Sequence, residues 1–559
     1  MRKFIFFTVI LFSGFFGCDD DGNSNQNNLN NTSNQNNTTN NVTTNNCTNN
    51  CTNNQTNNET NNTVNNSTID PKFAALFEVF ESELGEQYTW GGALAVIEGD
   101  EITFKRGTGV RDPDTEEPVN SETLFRIGSL TKSLTAISVL QNTQDGIVDL
   151  EASLNEYLSD FDLENNPGII STVKIKHLLT HQGAFYNPWE HDAVDPYRNE
   201  DGLYDYYHEV YTQDGYLMAP AGLMYNYSNT GFSLAGLVSE VVSGQYYNDY
   251  MIENVFLPLG LSRTFFLAQD VSDDGNYAKG LMSMDGSFDT ITPDTYMNPW
   301  VRPCGYAWSS VEQLAEYILF LKNGDETVLN NEQRTAMMEP QKSTQEIGDF
   351  ASYGYGLFIQ DGIFVDGQYY NIKLITHNGA VGGYSAYFYY FPELEFGMVF
   401  LGSGDYLSFK ETLANGLSTL VDLPEPAEFP AEYESNTEKY TEYEGTYIDP
   451  NFVGTLNVTK NGENLELYAP ELEEQQIAYG TILQPYYLDS FLFSIYGSSF
   501  VGTFIYEDGV PKYFRTRFFV GMREDTTKKN LIPPVVDKNR LYDIIRKSSL
   551  QEKENIFLP

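Results

Sequence analysis

The chain has 559 residues, with 32 Lys and Arg against 78 Asp and Glu for a formal net charge of −46, and 41% of its residues are hydrophobic. That apolar share, with 39 Tyr and 37 Phe, supplies at least one large core and excludes global disorder. The charge argues against a nucleic-acid partner, which needs a basic patch, and against electrostatic docking on anionic lipid; at about 150 residues per domain the length fits roughly two to four domains.

Arg2 and Lys3 precede an uninterrupted apolar or small run from Phe4 to Gly17, which ends at Cys18. A charged start, a short apolar stretch and small residues before a cut describe a secretory signal over residues 1–18. At ~1.5 Å per residue the run reaches ~21 Å, short of the ~30 Å hydrocarbon core, so a permanent spanning helix is the weaker reading. Gly17-Cys18 directly after the run resembles the lipobox of bacterial lipoproteins, although Phe15 and Phe16 stand where that family favours Leu and a small residue. The resemblance implies lipidation at Cys18 and a place in the bacterial cell envelope, periplasmic or surface. A plain signal peptide with a coincidental Cys is the alternative, and either one exports the protein.

Residues 19–68 are Asn and Thr almost throughout, with no Lys, Arg or aromatic side chain. Such a segment buries too little apolar area to offset chain entropy and is predicted to be a disordered tether. Cys47 and Cys51 lie within it, without neighbouring ligands for a metal site, and read as a local disulfide or two idle thiols.

Residues 69–423 form a long mixed region. The pattern predicts a helix over Phe73–Leu84, strands over Gly91–Glu98 and Ile102–Val110 with a turn at Gly99-Asp100, and helices over Leu130–Gln144, Thr230–Val242, Val311–Leu321 and Lys410–Val421. Tyr353–Gln360, Tyr369–Thr376, Tyr384–Phe391 and Phe396–Leu401 read as strands. Strands at both ends enclosing a helical middle predict an α/β (α+β) body built on an antiparallel sheet. Pro424, Pro426 and Pro430 mark a linker over residues 424–439. Short, regularly spaced strand patterns over residues 440–524, among them Phe452–Thr459, Asn464–Tyr468, Phe491–Ile495, Gly502–Tyr506 and Tyr513–Phe519, predict a small barrel or sandwich. It holds no Cys or His and is assigned no chemistry; residues 525–559 read as a loosely appended tail.

No Gly-x-Ser-x-Gly elbow occurs, which disfavours an α/β-hydrolase, and the five His form no His-Glu-x-x-His. His177 and His181 stand four apart, the spacing of zinc ligands on one helix face, but no neighbouring Glu supplies a base and Leu178-Leu179 between them look like core. A structural helix is the preferred reading.

Ser129-Leu130-Thr131-Lys132 is the informative segment. The same Ser-x-x-Lys pattern recurs at Ser171–Lys174, where β-branched residues follow, whereas Ser129 follows Gly128 and opens a helix. A Ser at a helix start has its own N–H and the helix dipole to stabilise developing negative charge, and a Lys three residues on lies on the same face. Buried, that Lys becomes a neutral amine able to accept the Ser proton. Alone, the segment also reads as a plain N-cap with a solvent-facing Lys. Tyr227-Ser228-Asn229 stands at a second loop-to-helix junction: a phenol beside an ammonium is a proton shuttle, and Asn229 offers an amide to substrate and Lys132. His377-Asn378-Gly379-Ala380 follows one strand pattern and precedes another; its glycine permits close backbone approach, the strand edge can pair with substrate, and the Ala380 N–H is a second oxyanion donor. His377 itself reads as functional or as a structural histidine.

Together Phe125–Lys132, Tyr227-Ser228-Asn229 and His377-Asn378-Gly379 closely resemble the motifs of the serine β-lactamase-like hydrolases related to class C β-lactamases and D-alanyl-D-alanine carboxypeptidases, with Lys176–Gly183, Phe256–Leu261 and Gly305–Ser310 as smaller echoes. The resemblance covers roughly residues 69–423; the C-terminal region resembles the lipocalin-like extension of some members. It implies a β-lactamase/penicillin-binding-protein-like fold with a helical subdomain and an acyl-enzyme mechanism with Ser129, Lys132 and Tyr227 catalytic. Asn229, His377, Gly379 and Ala380 would line the substrate and oxyanion side. No metal or organic cofactor is implied, and the partner is a small ester or peptide substrate, peptidoglycan-derived fragments among them. The departure is His377, where the family more often has Lys: an imidazole is mostly uncharged near neutral pH, which favours esters and amidated or N-terminal D-amino-acid peptides over β-lactams and free carboxylates. Two rival readings are a catalytically inactive binder of cell-wall fragments with the same fold, and a surface scaffold whose terminal β domain is the active part.

Overall fold

The computed structural model describes residues 69–187, 199–284, 287–295, 298–524 and 541. The expected signal and Cys18, the Asn/Thr spacer with Cys47 and Cys51, His191 and the tail other than Leu541 lie outside the described residues. Helix α1 (Pro71–Gly85) begins where the Asp70 side chain accepts a hydrogen bond from the Lys72 amide at 3.0 Å, with Pro71 in the first turn. Its Phe73, Leu76, Phe77, Phe80 and Leu84 fall at helical spacing and are buried.

Strands β1 (Gly91–Glu98) and β2 (Glu101–Asp112) pair antiparallel across the predicted turn. With β3 (Glu117–Pro118), β4 (Lys342–Ser343), β5 (Ala351–Tyr353), β6 (Phe358–Gln360), β7 (Leu374–Val381), β8 (Tyr384–Phe391) and β9 (Phe396–Gly402) they form a nine-stranded antiparallel sheet in the order β3-β2-β1-β9-β8-β7-β6-β5-β4. Along β1 the side chains alternate: Leu94 and Val96 pack with α1, while Ala93, Ala95 and Ile97 join the main core on the other face. The first and last strands of this body therefore meet in the middle of the sheet, with β1 beside β9.

Two predicted strands are in fact broken. Tyr353–Gln360 is a hairpin, β5 and β6, around a turn closed by the Gly354 amide on the Leu357 carbonyl at 2.8 Å. Tyr369–Thr376 divides into Gln368–Tyr370, which pairs with Ile363–Val365, and the start of β7. Apolar continuity concealed the first break, since residues 354–357 are themselves buried; the second falls at Asn371-Ile372-Lys373, where Asn371 is exposed.

Helix α2 (Thr131–Gln144) is buried nearly all round although its sequence is rich in hydroxyls. Each hydroxyl is satisfied inside the protein: Ser133 Oγ donates to the Leu130 carbonyl at 2.8 Å, Thr135 Oγ1 to the Pro303 carbonyl at 2.6 Å, and Ser138 Oγ meets Ser239 Oγ at 2.9 Å. The small side chains let α3 (Asn229–Ser243) lie close against α2, and α4 (Val311–Asn323) covers the same face of the sheet. Helix α5 (Lys410–Leu420) lies with α1 on the opposite face.

Residues 424–439 lead into a closed barrel of eight antiparallel strands: β10 (Gly445–Asp449), β11 (Gly454–Asn461), β12 (Asn464–Tyr468), β13 (Ile482–Pro485), β14 (Ser490–Ile495), β15 (Ser498–Glu507), β16 (Val510–Arg515) and β17 (Val520–Arg523). The small all-β domain expected from the sequence is this barrel, although Gly445–Asp449, Ile482–Pro485 and Val520–Arg523 left no readable pattern. Its interior is filled by Tyr443, Tyr447, Phe491, Phe493, Phe504 and Phe514, and Leu541 returns from the tail to pack into it.

Candidate active site

Ser129 sits in a single 3-10 turn, Gly128–Leu130, at the entry to α2. The turn is hung from the segment after α3: the Ile127 amide donates to the Ala307 carbonyl at 2.9 Å, and the Ala307 amide to Thr131 Oγ1 at 3.3 Å. Gly128 has φ +51°, and a Cβ there would stand 2.7 Å from the Ala380 nitrogen. Reciprocally, a Cβ on Gly379 would stand 2.0 Å from the Ile127 carbonyl oxygen and 2.9 Å from the Ser129 nitrogen. Two glycines thus let the nucleophile turn touch β7, and bring the amides of Ser129 and Ala380 to one place.

Lys132 is fully buried. Its Nζ is 2.9 Å from Ser129 Oγ, 2.8 Å from Asn229 Oδ1 and 2.5 Å from the Cys304 carbonyl oxygen. The last two are acceptors only. When the amine is deprotonated it has two N–H donors and one lone pair; with the donors on Asn229 and Cys304, the lone pair then faces the Ser129 hydroxyl.

Tyr227 precedes the N-cap of α3, where Ser228 Oγ accepts from the Gly231 amide at 3.2 Å. The loop is pinned from below: the Ser228 amide donates to His181 Nδ1 at 2.9 Å, and Asn187 Nδ2 donates to the Tyr227 carbonyl at 3.2 Å. The Tyr227 ring is buried, 4.1 Å from the His181 ring and 4.8 Å from Lys132 Nζ. Complete burial, with the Lys132 charge adding to it, holds the His181 imidazole well below its ordinary pKa. His177 and His181 do not share a helix face. The helix stops at Leu179, and His181 has φ +55° while His177 Nδ1 accepts from the Lys174 amide at 3.1 Å.

His377 lies inside β7 rather than after a strand. Strand β6 reaches only Leu374–Thr376 of β7, so among the described residues His377–Val381 are paired by β8 alone. Their other edge runs past the Ser129 turn. His377 Nδ1 is 2.6 Å from the Asn378 carbonyl oxygen, which can only accept, so this nitrogen carries the proton. Nε2 therefore accepts from the Tyr353 hydroxyl at 2.9 Å. Burial, reinforced by the Lys132 charge, pushes the imidazole down to about 3, so it is neutral at physiological pH. Both ring nitrogens are turned to protein partners.

The structure thus gathers Ser129, Lys132, Tyr227, Asn229, His377, Gly379 and Ala380 at one place. Three further contributors were not foreseen. Tyr353 was hidden in an apolar run, and the Cys304 carbonyl acts through the main chain, where no residue type announces it. The third, Arg517, comes from the barrel, to which the sequence assigned no chemistry because it lacks Cys and His. Its guanidinium carbon is 4.6 Å from the centre of the Tyr227 ring. Arg515, two residues earlier, donates to the carbonyls of Tyr225 and, at 3.0 Å, Thr344. Ile505, Tyr513 and Val520 of the barrel pack with Ala184, Ala219 and Met224 of the larger body beside this contact.

A protein-family model described as Beta-lactamase matches residues 76–421. Penicillin-binding protein 4* of Bacillus subtilis (strain 168) is 25% identical over 331 residues, 55% of this chain and 66% of that protein. The chain thus spans just under two thirds of this curated relative. The crystal structure of SurE superposes with a TM-score of 0.58 at 22% identity, covering 81% of this chain and 99% of that one. D-amino acid amidase from Ochrobactrum anthropi SV3 superposes with a TM-score of 0.52 at 21% identity, covering 63% of this chain and 99% of that one. Both structural likenesses are likenesses of fold.

Proposed function

The chain belongs to the beta-lactamase family, and from that premise we propose that it is a serine hydrolase acting on ester or peptide carbonyls through an acyl-enzyme. The observation that carries this reading is Lys132 Nζ at 2.9 Å from Ser129 Oγ, beside Asn229 Oδ1 and the Cys304 carbonyl oxygen, which only accept. Ser129 Oγ bonds to the substrate carbonyl carbon as its proton passes to Lys132. The carbonyl electron pair moves onto oxygen, where the amides of Ser129 and Ala380 receive it. Collapse expels the leaving group, which takes the proton relayed from Lys132 by Tyr227. Water then attacks the acyl-enzyme, giving its proton back along the same path, and frees the acid and Ser129.

The neutral His377 sets the substrate class. A Lys in this place holds a carboxylate with a fixed charge; an imidazole near pKa 3, bonded to Tyr353 and Asn378, does not. Esters and amidated or N-terminal D-amino-acid peptides, peptidoglycan-derived ones among them, fit that position better than β-lactams. A D-amino acid amidase among the fold neighbours supports the amide branch. Export and lipidation at Cys18 belong to the same proposal, supported by the charged, apolar and Gly17-Cys18 sequence pattern; a lipid mass on the mature N-terminal peptide tests them.

The activity is tested by stopped-flow release of p-nitrophenol from an activated ester. A burst followed by turnover, both lost in Ser129→Ala, is expected; unchanged release in that variant removes the mechanism. A panel of esters, β-lactams and D-amino-acid peptides then orders the substrates.

A further inference from the structure

We propose that His181 is a positioning residue for Tyr227, holding the backbone on both sides of the phenol that protonates the leaving group. The proposal rests on the reading of Ser129 as the nucleophile and deepens it.

The contacts bracket Tyr227 closely. The Asn226 amide donates to the His181 carbonyl oxygen at 2.7 Å, and the Ser228 amide donates to His181 Nδ1 at 2.9 Å. One residue thus accepts from the amide before Tyr227 and from the amide after it. To do so His181 takes φ +55°, a left-handed conformation that a β-carbon disfavours. Strain of this kind persists only where the surrounding structure enforces it. Here the next two amides, of Gln182 and Gly183, both donate to the His177 carbonyl, at 2.8 and 3.1 Å. The Gln182 carbonyl in turn accepts from the Gly222 amide at 2.8 Å.

The ring has one bond, and that bond serves the loop of Tyr227. A backbone amide only donates, so Nδ1 carries the lone pair and the neutral ring has its proton on Nε2. Complete burial, with the Lys132 charge adding to it, keeps the ring in that neutral state. Nε2 is buried and without a hydrogen-bond partner among the described residues. The rings of Tyr227, Tyr353, Phe232 and Tyr225 surround it, their centres 4.1, 4.6, 5.1 and 5.6 Å from its own. A Leu or Phe would fill such an aromatic box without stranding an N–H, which costs stability. What the imidazole adds is the acceptor for the Ser228 amide.

Tyr227 acts when the bond from the carbonyl carbon to the leaving oxygen breaks. That oxygen keeps the electron pair and takes the phenol proton, which the Lys132 ammonium replaces. A displaced Tyr227 therefore harms leaving groups that need the proton and spares those that depart as stable anions.

The test uses the full chain with p-nitrophenyl butyrate and ethyl butyrate, which share an acyl group. p-Nitrophenolate leaves unprotonated; ethoxide does not. His181→Gly accepts the left-handed backbone and lacks the ring acceptor, whereas His181→Asn accepts it and offers an amide oxygen near the Nδ1 position. In His181→Gly the ethyl-to-nitrophenyl ratio of kcat/KM is expected to fall about 100-fold. In His181→Asn most of that ratio is expected to return. An unchanged ratio in His181→Gly, including an equal loss on both esters, overturns the proposal, and so does a ratio that falls as far in His181→Asn. Packing alone follows neither the leaving group nor the acceptor. Should His181→Gly not fold, the wild type decides by a heteronuclear NMR spectrum of its imidazole nitrogens, the His181 signal being the one absent from His181→Asn. A proton on Nε2 is expected, and a proton on Nδ1 overturns the proposal. If a fluorophosphonate does not label Ser129 in the wild type, the nucleophile reading fails and takes this proposal with it. Labelling with an unmoved ester ratio sinks the His181 assignment alone.

Discussion

Lys132 Nζ and Asn229 Oδ1 are 2.8 Å apart although 97 positions separate them in the chain. Through this bond the entry of α3 fixes the amine that faces Ser129. Replacing Asn229 by Ala removes an acceptor from a buried, charge-capable donor, and kcat/KM for an activated ester is expected to fall roughly 10- to 100-fold. Asn229→Asp puts a carboxylate beside the amine and favours its charged form, so the pH–rate profile of kcat/KM is expected to move to higher pH. A profile that stays in place contradicts the role of a neutral Lys132.

The contact of Gly379 with the Ser129 turn is equally strict. A methyl at position 379 has no room against the Ile127 carbonyl, 2.0 Å from the Cβ position. Gly379→Ala is expected to cost about 1–3 kcal/mol and lower the melting temperature. Turnover should fall further than stability, because a displacement near 1 Å at the nucleophile costs about 100-fold. Gly85→Ala is the control, since nothing stands within 4 Å of a Cβ there. Differential scanning calorimetry and ester kinetics on both variants check the pair.

His377 makes stability depend on pH. Its folded pKa is about 3 against an ordinary value of 6.5, so between these pH values the unfolded chain binds a proton that the folded protein refuses. Its contribution to stability is whole above pH 6.5 and is lost as pH falls toward 3. His377→Asn carries no such titration. The stability of the wild type relative to this variant is expected to drop by about 2 kcal/mol between pH 6.5 and pH 5, read from urea unfolding at each pH. Parallel pH curves for the two proteins contradict a buried neutral imidazole.

Arg515 ties the barrel to the larger body. Arg515→Met strips the Tyr225 and Thr344 carbonyls of their donor and leaves Glu346 without its ion-pair partner at 3.4 Å. The expected loss is about 3–5 kcal/mol, the cost of breaking a buried charged cluster. Limited proteolysis within residues 424–439 should accelerate in this variant.

The motif residues and most of the sheet were legible in the sequence because local patterns encode them. Helix α2 announces itself by Gly128 and by apolar residues at helical spacing (Leu130, Leu134, Ile137), β1 and β2 by strand-like patterns around Gly99-Asp100, and the entry of α3 by Ser228 and Asn229. What was not legible depends on contacts between distant segments. The hairpin at Gly354 sits within continuous apolar sequence, and the barrel strand Val520–Arg523 is defined by its pairing with β10 and β16. The Cys304 carbonyl acts through main-chain atoms that every residue possesses. Arg517 falls next to Tyr227 only because the barrel packs there, a tertiary fact with no local trace. His377 was legible as a neutral imidazole by residue type, whereas its bond to Tyr353 was not.

The central claim is that Ser129 is a nucleophile activated by Lys132, and fluorophosphonate labelling followed by peptide mass spectrometry tests it most directly. The wild type should carry the phosphonyl adduct on Ser129, Ser129→Ala should carry none, and Lys132→Ala should label at least about 100-fold more slowly. Labelling of Ser129→Ala at the wild-type rate, or a wild type that takes up no label, would contradict the account.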